Sequence, residues 1–218
     1  MKHLLLLLFL FLSSSGLSAG NKVLFEIGQQ DNSAAEFALY PDNYNSFLAN
    51  FGGEKSFYVG YSTADKHWPY VLPGPLDNWA GGGYWAGFHP RHFPSVSAEG
   101  ECYLTFFFTG AHNSNPIKIR VEINGNRFEE DLNGENSGEL LTNKEDGKAK
   151  EIKIQFPASW LTTGMNKIQL GTIKGTWAIF DCIRLETPAN MQLGKASSSL
   201  IRSVEAAPFE YQKENGER

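Results

Sequence analysis

The sequence predicts an all-β protein built as a β-sandwich, and three observations carry that expectation. About seven or eight short segments alternate apolar with polar residues or run apolar for a few positions. Gly, Pro and Asn-Gly turn signals separate them at short intervals. No stretch keeps a 3.6-residue apolar period long enough for a substantial helix, so the strand–helix alternation of a doubly wound parallel sheet is excluded.

The elements follow in order. Residues 23–27 (VLFEI) form a first strand closed by Gly28. Ser33-Ala-Ala-Glu36 matches a capping box, so residues 34–39 are expected to make one or two helical turns. Pro41-Asp42-Asn43 is a turn, and 44–51 is a second short helix before Gly52-Gly53. Residues 57–61 (FYVGY) are aromatic and β-branched, hence a strand. A long loop follows, over 67–92. Residues 101–110 (ECYLTFFFTG) make the strongest strand, with Cys102, Leu104, Phe106 and Phe108 on one face by parity. In 117–130, Ile117, Ile119, Val121 and Ile123 alternate with charged residues up to Asn124-Gly125, the dipeptide of a type I′ hairpin. Residues 133–150 read as a polar surface loop, 151–156 (EIKIQF) as a strand, 157–164 as a turn with a short helix, and 166–171 as a strand. Residues 176–186 (TWAIFDCIRLE) close the series, with Ile179, Ile183 and Leu185 on one face.

The two ends differ from this middle. Lys2 and His3, the apolar run 4–12 and the small residues up to Ser18-Ala19-Gly20 have the layout of a cleaved signal peptide over 1–20. The apolar run is too short to span a bilayer. The expected domain is therefore 21–187, in a secreted or periplasmic protein. Residues 188–218 are rich in Ser, Glu, Lys and Gly and are expected to be a linker, or the start of a following domain of a longer polypeptide. The net charge of −5 and the lack of basic clusters argue against nucleic acid and against anionic membranes as partners. Cys102 and Cys182 could form a disulfide in an oxidising compartment, or be two buried thiols in strands that are not neighbours.

The least ordinary chemistry lies in 67–92, HWPYVLPGPLDNWAGGGYWAGFHPRH. It holds Trp68, Trp79 and Trp85, Tyr70 and Tyr84, and His67, His89 and His92 among its prolines and glycines. Pro73, Pro75 and Gly81-Gly82-Gly83 rule out a helix, and proline lacks the N–H of a central strand. Sugar rings stack one C–H face on Trp or Tyr, while their hydroxyls bond to Asp, Asn, His and Arg. Trp68, Tyr70, Asp77, Trp79, Tyr84, Trp85, His89 and His92 are the candidate carbohydrate-binding residues. The alternative for Trp68 and Trp79 is that they plug one end of the sandwich. The glycine-flanked Tyr84 and Trp85 are the better candidates for exposure. No nucleophile elbow or phosphate loop is present, so no catalytic residue is assigned. A β-eliminating lyase would need a base, for which Lys66, His67, Tyr70 and His92 have suitable chemistry. His89-Pro-Arg-His92 could pair on a metal but lacks an obvious third ligand. Glu26 and Asp181 sit inside apolar strands. A structural Ca²⁺ shared between them would relieve two buried carboxylates; the alternative is that each caps a loop or pairs with Arg184 or Lys22.

FEIGQQDNSAAEF, WPYVLPGPLDNW, VEINGN and TWAIFDCIRLE occur in this order. Together they resemble the carbohydrate-binding-module-like jelly-roll domain of rhamnogalacturonan lyases, polysaccharide lyase family 4, over about residues 22–186. The resemblance implies a galactose-binding-like jelly roll that binds a polysaccharide or oligosaccharide. It also implies a non-catalytic accessory role beside the catalytic domain of a longer pectin-degrading enzyme. A lyase in its own right, or a scaffold that only packs on a catalytic domain, are the alternatives.

Overall fold

The computed structural model describes residues 20–52, 55–82, 85–89, 91–94, 99–142 and 147–194. Its strands are β1 (Asn21–Gly28), β2 (Lys55–Tyr58), β3 (Val71–Leu72), β4 (Trp85–His89), β5 (Arg91–Pro94), β6 (Glu101–Ala111), β7 (Ile117–Ile123), β8 (Asn126–Leu132), β9 (Lys150–Pro157), β10 (Gly164–Met165), β11 (Ile168–Lys174), β12 (Ala178–Pro188) and β13 (Met191–Leu193). Two helices of about one turn, α1 (Phe47–Phe51) and α2 (Ala64–His67), lie between β1 and β3. The first sheet runs β1-β12-β6-β9, with β3 also pairing β12; the second runs β2-β4-β11-β7-β8; a small sheet joins β10-β5-β13. All pairs are antiparallel except β2 with β4. The expected all-β sandwich is the observed one.

Parity explains the core. Leu104 of β6 lies between Leu185 of β12 and Ile154 of β9, and Phe106 between Ile183 and Ile152. Ile117, Ile119, Val121 and Ile123 alternate with half-exposed charged residues, and all four apolar side chains are buried. Each fully buried side chain of this size removes roughly 1.5–3 kcal/mol worth of apolar surface from water. The polar face of β7 is covered by a charge ladder in which Arg120 and Lys118 bind Glu129 of β8, and Arg127 binds Glu122. The turn between these strands has φ 46 at Asn124 and φ 90 at Gly125, as type I′ geometry requires. Asn124 does a second job: its amide donates to Asn166 Oδ1 and to the Trp160 carbonyl, tying the hairpin tip to the 160–166 turn.

Three expectations are revised. Residues 34–39 form turns, not a helix: Ser33 Oγ accepts from Ala35 N–H, but the Glu36 carboxylate accepts from Gln29 N–H, and Ala38 bridges to Pro69. Cys102 and Cys182 are two free buried thiols, as one of the two readings has them, but their strands β6 and β12 are paired neighbours. Cys102 shares the core face of β6 with Leu104, whereas Cys182 neighbours Ile183 and pairs with Phe107 on the opposite face, so the sheet separates the thiols. The fold also continues past residue 187: β13 pairs with β5, and Met191 is buried. All of the expected signal peptide 1–20 except Gly20, and most of the expected linker (195–218), lie outside the described residues.

Candidate functional site

The segment 67–92 divides into a buried half and a surface half. Trp68 follows α2 at 1% exposure, packed edge-on against Phe57 and Phe180 with ring centroids 5.9 and 5.7 Å away. Tyr70 is fully buried, and its hydroxyl donates to the Leu141 carbonyl at 2.9 Å. Burial raises its pKa above the ordinary phenol range. Neither ring offers a face to a ligand, because strands β2 and β12 and the turn Gly138–Thr142 enclose them. These two sequence candidates belong to the core, and Tyr70 is unavailable as a lyase base. His67 is also engaged, since its Nδ1 accepts from Thr63 N–H at the start of α2. Gly74 in Pro-Gly-Pro is demanded by close approach: a Cβ there would lie 2.2 Å from the Gly175 carbonyl oxygen.

Asp77 makes the transition between the halves. It is 6% exposed, and its Oδ2 accepts from Gly74 N–H at 2.8 Å. Desolvation raises its pKa to about 6, against hydrogen bonds from Gly74 and the Trp79 side chain that lower it. Asp77 therefore organises the turn and presents Trp79; it is a positioning group and not the sugar-facing carboxylate expected from its place among aromatic residues.

Trp79 comes to the surface in a 3₁₀ turn, Asn78–Ala80. It is partly buried and packs edge-on against Tyr44 (5.1 Å) and Phe47 (5.8 Å). Tyr44 is itself only partly buried, and Leu48, one turn further along, is 49% exposed. Leu48 abuts the turn at Gly81, where a Cβ would meet its Cδ2 at 2.9 Å. Asn43 and Asn45, next to Tyr44 in the chain, and Asn78, next to Trp79, are exposed. The patch combines an indole, a phenol ring and an aliphatic side chain with amides beside them in the chain, which is the chemistry a sugar ring calls for. Tyr44 and Leu48 carried no signal in the sequence beyond an i, i+4 spacing in a short helix.

The remaining candidates are distributed by the strands. Tyr84 lies outside the described residues. Residues 85–89 are not loop but β4, inside the second sheet: Trp85 pairs with Gly171, and His89 with Tyr58. Ala86 and Phe88 stand across from the core residues Leu170 and Ile168. Gly87 sits inside this strand, paired with Gln169 and Ser56, and does not interrupt it. His92 is in β5, between Gly164 of β10 and Leu193 of β13.

Glu26 and Asp181 do not converge. The Glu26 carboxylate accepts from Arg184 Nε at 2.5 Å across β1 and β12. Asp181, 4% exposed, accepts at one oxygen from Asp31 N–H (3.1 Å) and Ser33 N–H (3.3 Å). Burial raises its pKa, and these backbone donors oppose the rise. With each carboxylate satisfied separately, the pair does not fit a shared calcium ion. Among the described residues no group of three or more His, Cys, Asp or Glu side chains is arranged to hold a metal. No described helix is long and apolar enough to cross a membrane.

A two-sheet sandwich carrying a half-exposed aromatic patch has the architecture of a domain of the carbohydrate-binding-module type. The match of residues 23–185 to the family model named CBM-like, domain III of polysaccharide lyase family 4, is more specific, and the chain belongs to that family. Solved structures similar in fold include a family 35 carbohydrate-binding module from an environmental isolate. It has 15% identity and a TM-score of 0.35, covering 83% of this chain and 94% of that one. Another is the CBM35 from Cellvibrio japonicus Abf62, at 13% identity, TM-score 0.35, and 82% and 95% coverage. A third is the C-terminal CBM6 of LamC from Zobellia galactanivorans, at 14% identity, TM-score 0.30, and 53% and 87% coverage. The assignment rests on the family match and not on these likenesses. No curated protein matches the chain by sequence.

Proposed function

We propose that this chain is a non-catalytic carbohydrate-binding accessory domain of a secreted polysaccharide-degrading enzyme. The enzyme would act on a pectin-like, rhamnogalacturonan-type polymer. The observation that carries the proposal is the half-exposed Trp79–Tyr44–Leu48 patch with exposed asparagines beside it in the chain. Tyr84, Trp85, His89 and His92, on the chain just beyond it, are proposed to extend the contact. Family membership supports the attachment to a catalytic domain, and the leader-like residues 1–20 support export. Calcium has no part in this reading.

Affinity gel electrophoresis of the exported chain through gels containing pectic polysaccharides tests it. Retardation is expected on at least one polymer, and Trp79→Ala should abolish it. Unchanged mobility on every polymer would count against binding. It would favour the second reading, a scaffold domain whose exposed apolar residues, such as Leu76 at 58%, pack on a neighbouring catalytic domain.

A further inference from the structure

A cleft of about 500 Å³ opens elsewhere on the molecule and shares no residue with the Trp79 patch. Its volume falls within the range of small-ligand sites, roughly 300–1,000 Å³. Phe107, Phe108 and Asp181 line it from the first sheet, Gln30, Asp31 and Asn32 from the loop after β1, and 149–151 from the start of β9.

Three properties point to a ligand. The first is preorganisation. The Asp31 and Ser33 amides are fastened to the buried Asp181 carboxylate, Ser33 N–H also donates to Asp31 Oδ1, and Asn32 is held at φ 62, a conformation asparagine tolerates. A rigid wall loses little entropy on binding. The second is available hydrogen-bonding capacity. The exposed Gln30 and Asn32 side-chain amides and the exposed Glu151 carboxylate have no hydrogen-bond partner among the described residues. The third is an apolar ring at the same place: Phe107 is half-buried, with the Arg184 guanidinium 5.0 Å from its centroid. Amides, a carboxylate and a ring together suit a polyhydroxylated ring compound.

Charge selects among such compounds. Asp31, Glu151 and Asp181 line the cleft, while the cations beside it are each paired with a carboxylate, Lys150 with Glu135 and Arg184, over Phe107, with Glu26. An anionic uronate entering here would meet like charge.

We propose that this cleft is a second carbohydrate subsite, separate from the Trp79 patch, and that it takes a neutral sugar unit in preference to a uronate. It rests on the reading that the domain binds carbohydrate, and adds a location and a preference. The two surfaces together would engage a polymer that alternates neutral and acidic sugars at two points.

The test is a ¹⁵N amide-shift titration of the exported chain with rhamnose, galactose and galacturonate. It is run on the wild type and on Asn32→Ala, Glu151→Ala and Trp79→Ala. A neutral sugar is expected to shift amides at 30–32 and 149–151, with galacturonate at least tenfold weaker. Asn32→Ala and Glu151→Ala should each weaken the effect several-fold, and Trp79→Ala should leave it intact. Retention on a pectic polymer with silent cleft amides would overturn the second subsite and leave the domain's function standing. Cleft shifts with CaCl₂ but with no sugar would overturn it in favour of a cation site. Silence toward every sugar and every polymer would remove both readings.

Discussion

Trp68 and Trp79 stand eleven positions apart in one proline- and glycine-rich segment, and the fold uses them in opposite ways. Trp68 is sealed between Phe57 of one sheet and Phe180 of the other, and joins the core continuous with the Phe108–Phe180 stack. Trp79 has its edges against Tyr44 and Phe47 and keeps part of its surface in water. Composition cannot separate the two. Long-range partners do: Trp68 meets two strands that close the sandwich, whereas the ring partners of Trp79 among the described residues, Tyr44 and Phe47, belong to a short helical excursion. The lesson is that an aromatic cluster in a binding domain can be half anchor and half contact surface.

The contrast is broken most forcefully at Trp68. Trp68→Ala should lose about 3–5 kcal/mol of stability, the range for deleting a large buried aromatic side chain. Urea unfolding followed by circular dichroism measures it. The folded fraction should retain the wild-type affinity for whatever polymer the domain binds. If stability were nearly unchanged while affinity fell, Trp68 would be a contact residue and not an anchor.

Asp77, at the seam, makes a prediction about pH. Its folded pKa of about 6 lies above the ordinary 3.8, because burial disfavours the charged form more than the Gly74 and Trp79 hydrogen bonds favour it. A raised acid pKa means that the folded state holds its proton longer than the unfolded chain. Its contribution is thus fully present below about pH 3.8 and is lost as pH rises toward 6. The loss is on the order of 3 kcal/mol. Asp77→Asn is neutral at every pH and should flatten that slope. Unfolding free energies at pH 4 to 7 for the two proteins give the comparison; parallel curves would mean that Asp77 titrates like an exposed carboxylate.

Trp79→Ala sharpens the other side. It should weaken glycan affinity at least tenfold, which is about 1.4 kcal/mol. Its effect on stability should be well below that of Trp68→Ala, since part of the ring already faces water. Titration calorimetry with the retained polymer, beside urea unfolding, separates the two quantities.

Most of the sandwich was legible because it obeys a two-residue period. Residues 117–123 and 150–157 announce their buried faces directly, and Asn124-Gly125 announces its turn. The site was much less legible. Nothing periodic runs through 67–84, so burial there depends on contacts with Phe57, Phe180 and Tyr44 that no local pattern encodes. β4 was hidden because Gly83 and Pro90 bracket it as loop markers would, although its Ala86 and Phe88 positions line up with Leu170 and Ile168. Glu36 looked like a helix cap because the motif records spacing only. The carboxylate instead reaches Gln29 N–H across a turn whose path Asp181 determines. The unpaired cysteines follow from register: which face each thiol takes is readable by parity, but the pairing of β6 with β12 that sets them on either side of one sheet is not.

The smallest effect tests how finely the buried half is specified. Tyr70 is enclosed, and its hydroxyl is the donor that satisfies the buried Leu141 carbonyl at 2.9 Å. Tyr70→Phe keeps the ring and its edge-on contact with Tyr40, and removes only that donor. The expected loss is about 1 kcal/mol, the net worth of one neutral hydrogen bond, with glycan affinity unchanged. A shift in the urea midpoint at constant slope would report it. A loss near 3 kcal/mol would mean that the bond pins the whole Gly138–Thr142 turn onto the segment. No loss at all would mean that the turn relaxes to let water reach Leu141, and that packing alone seats the anchor half.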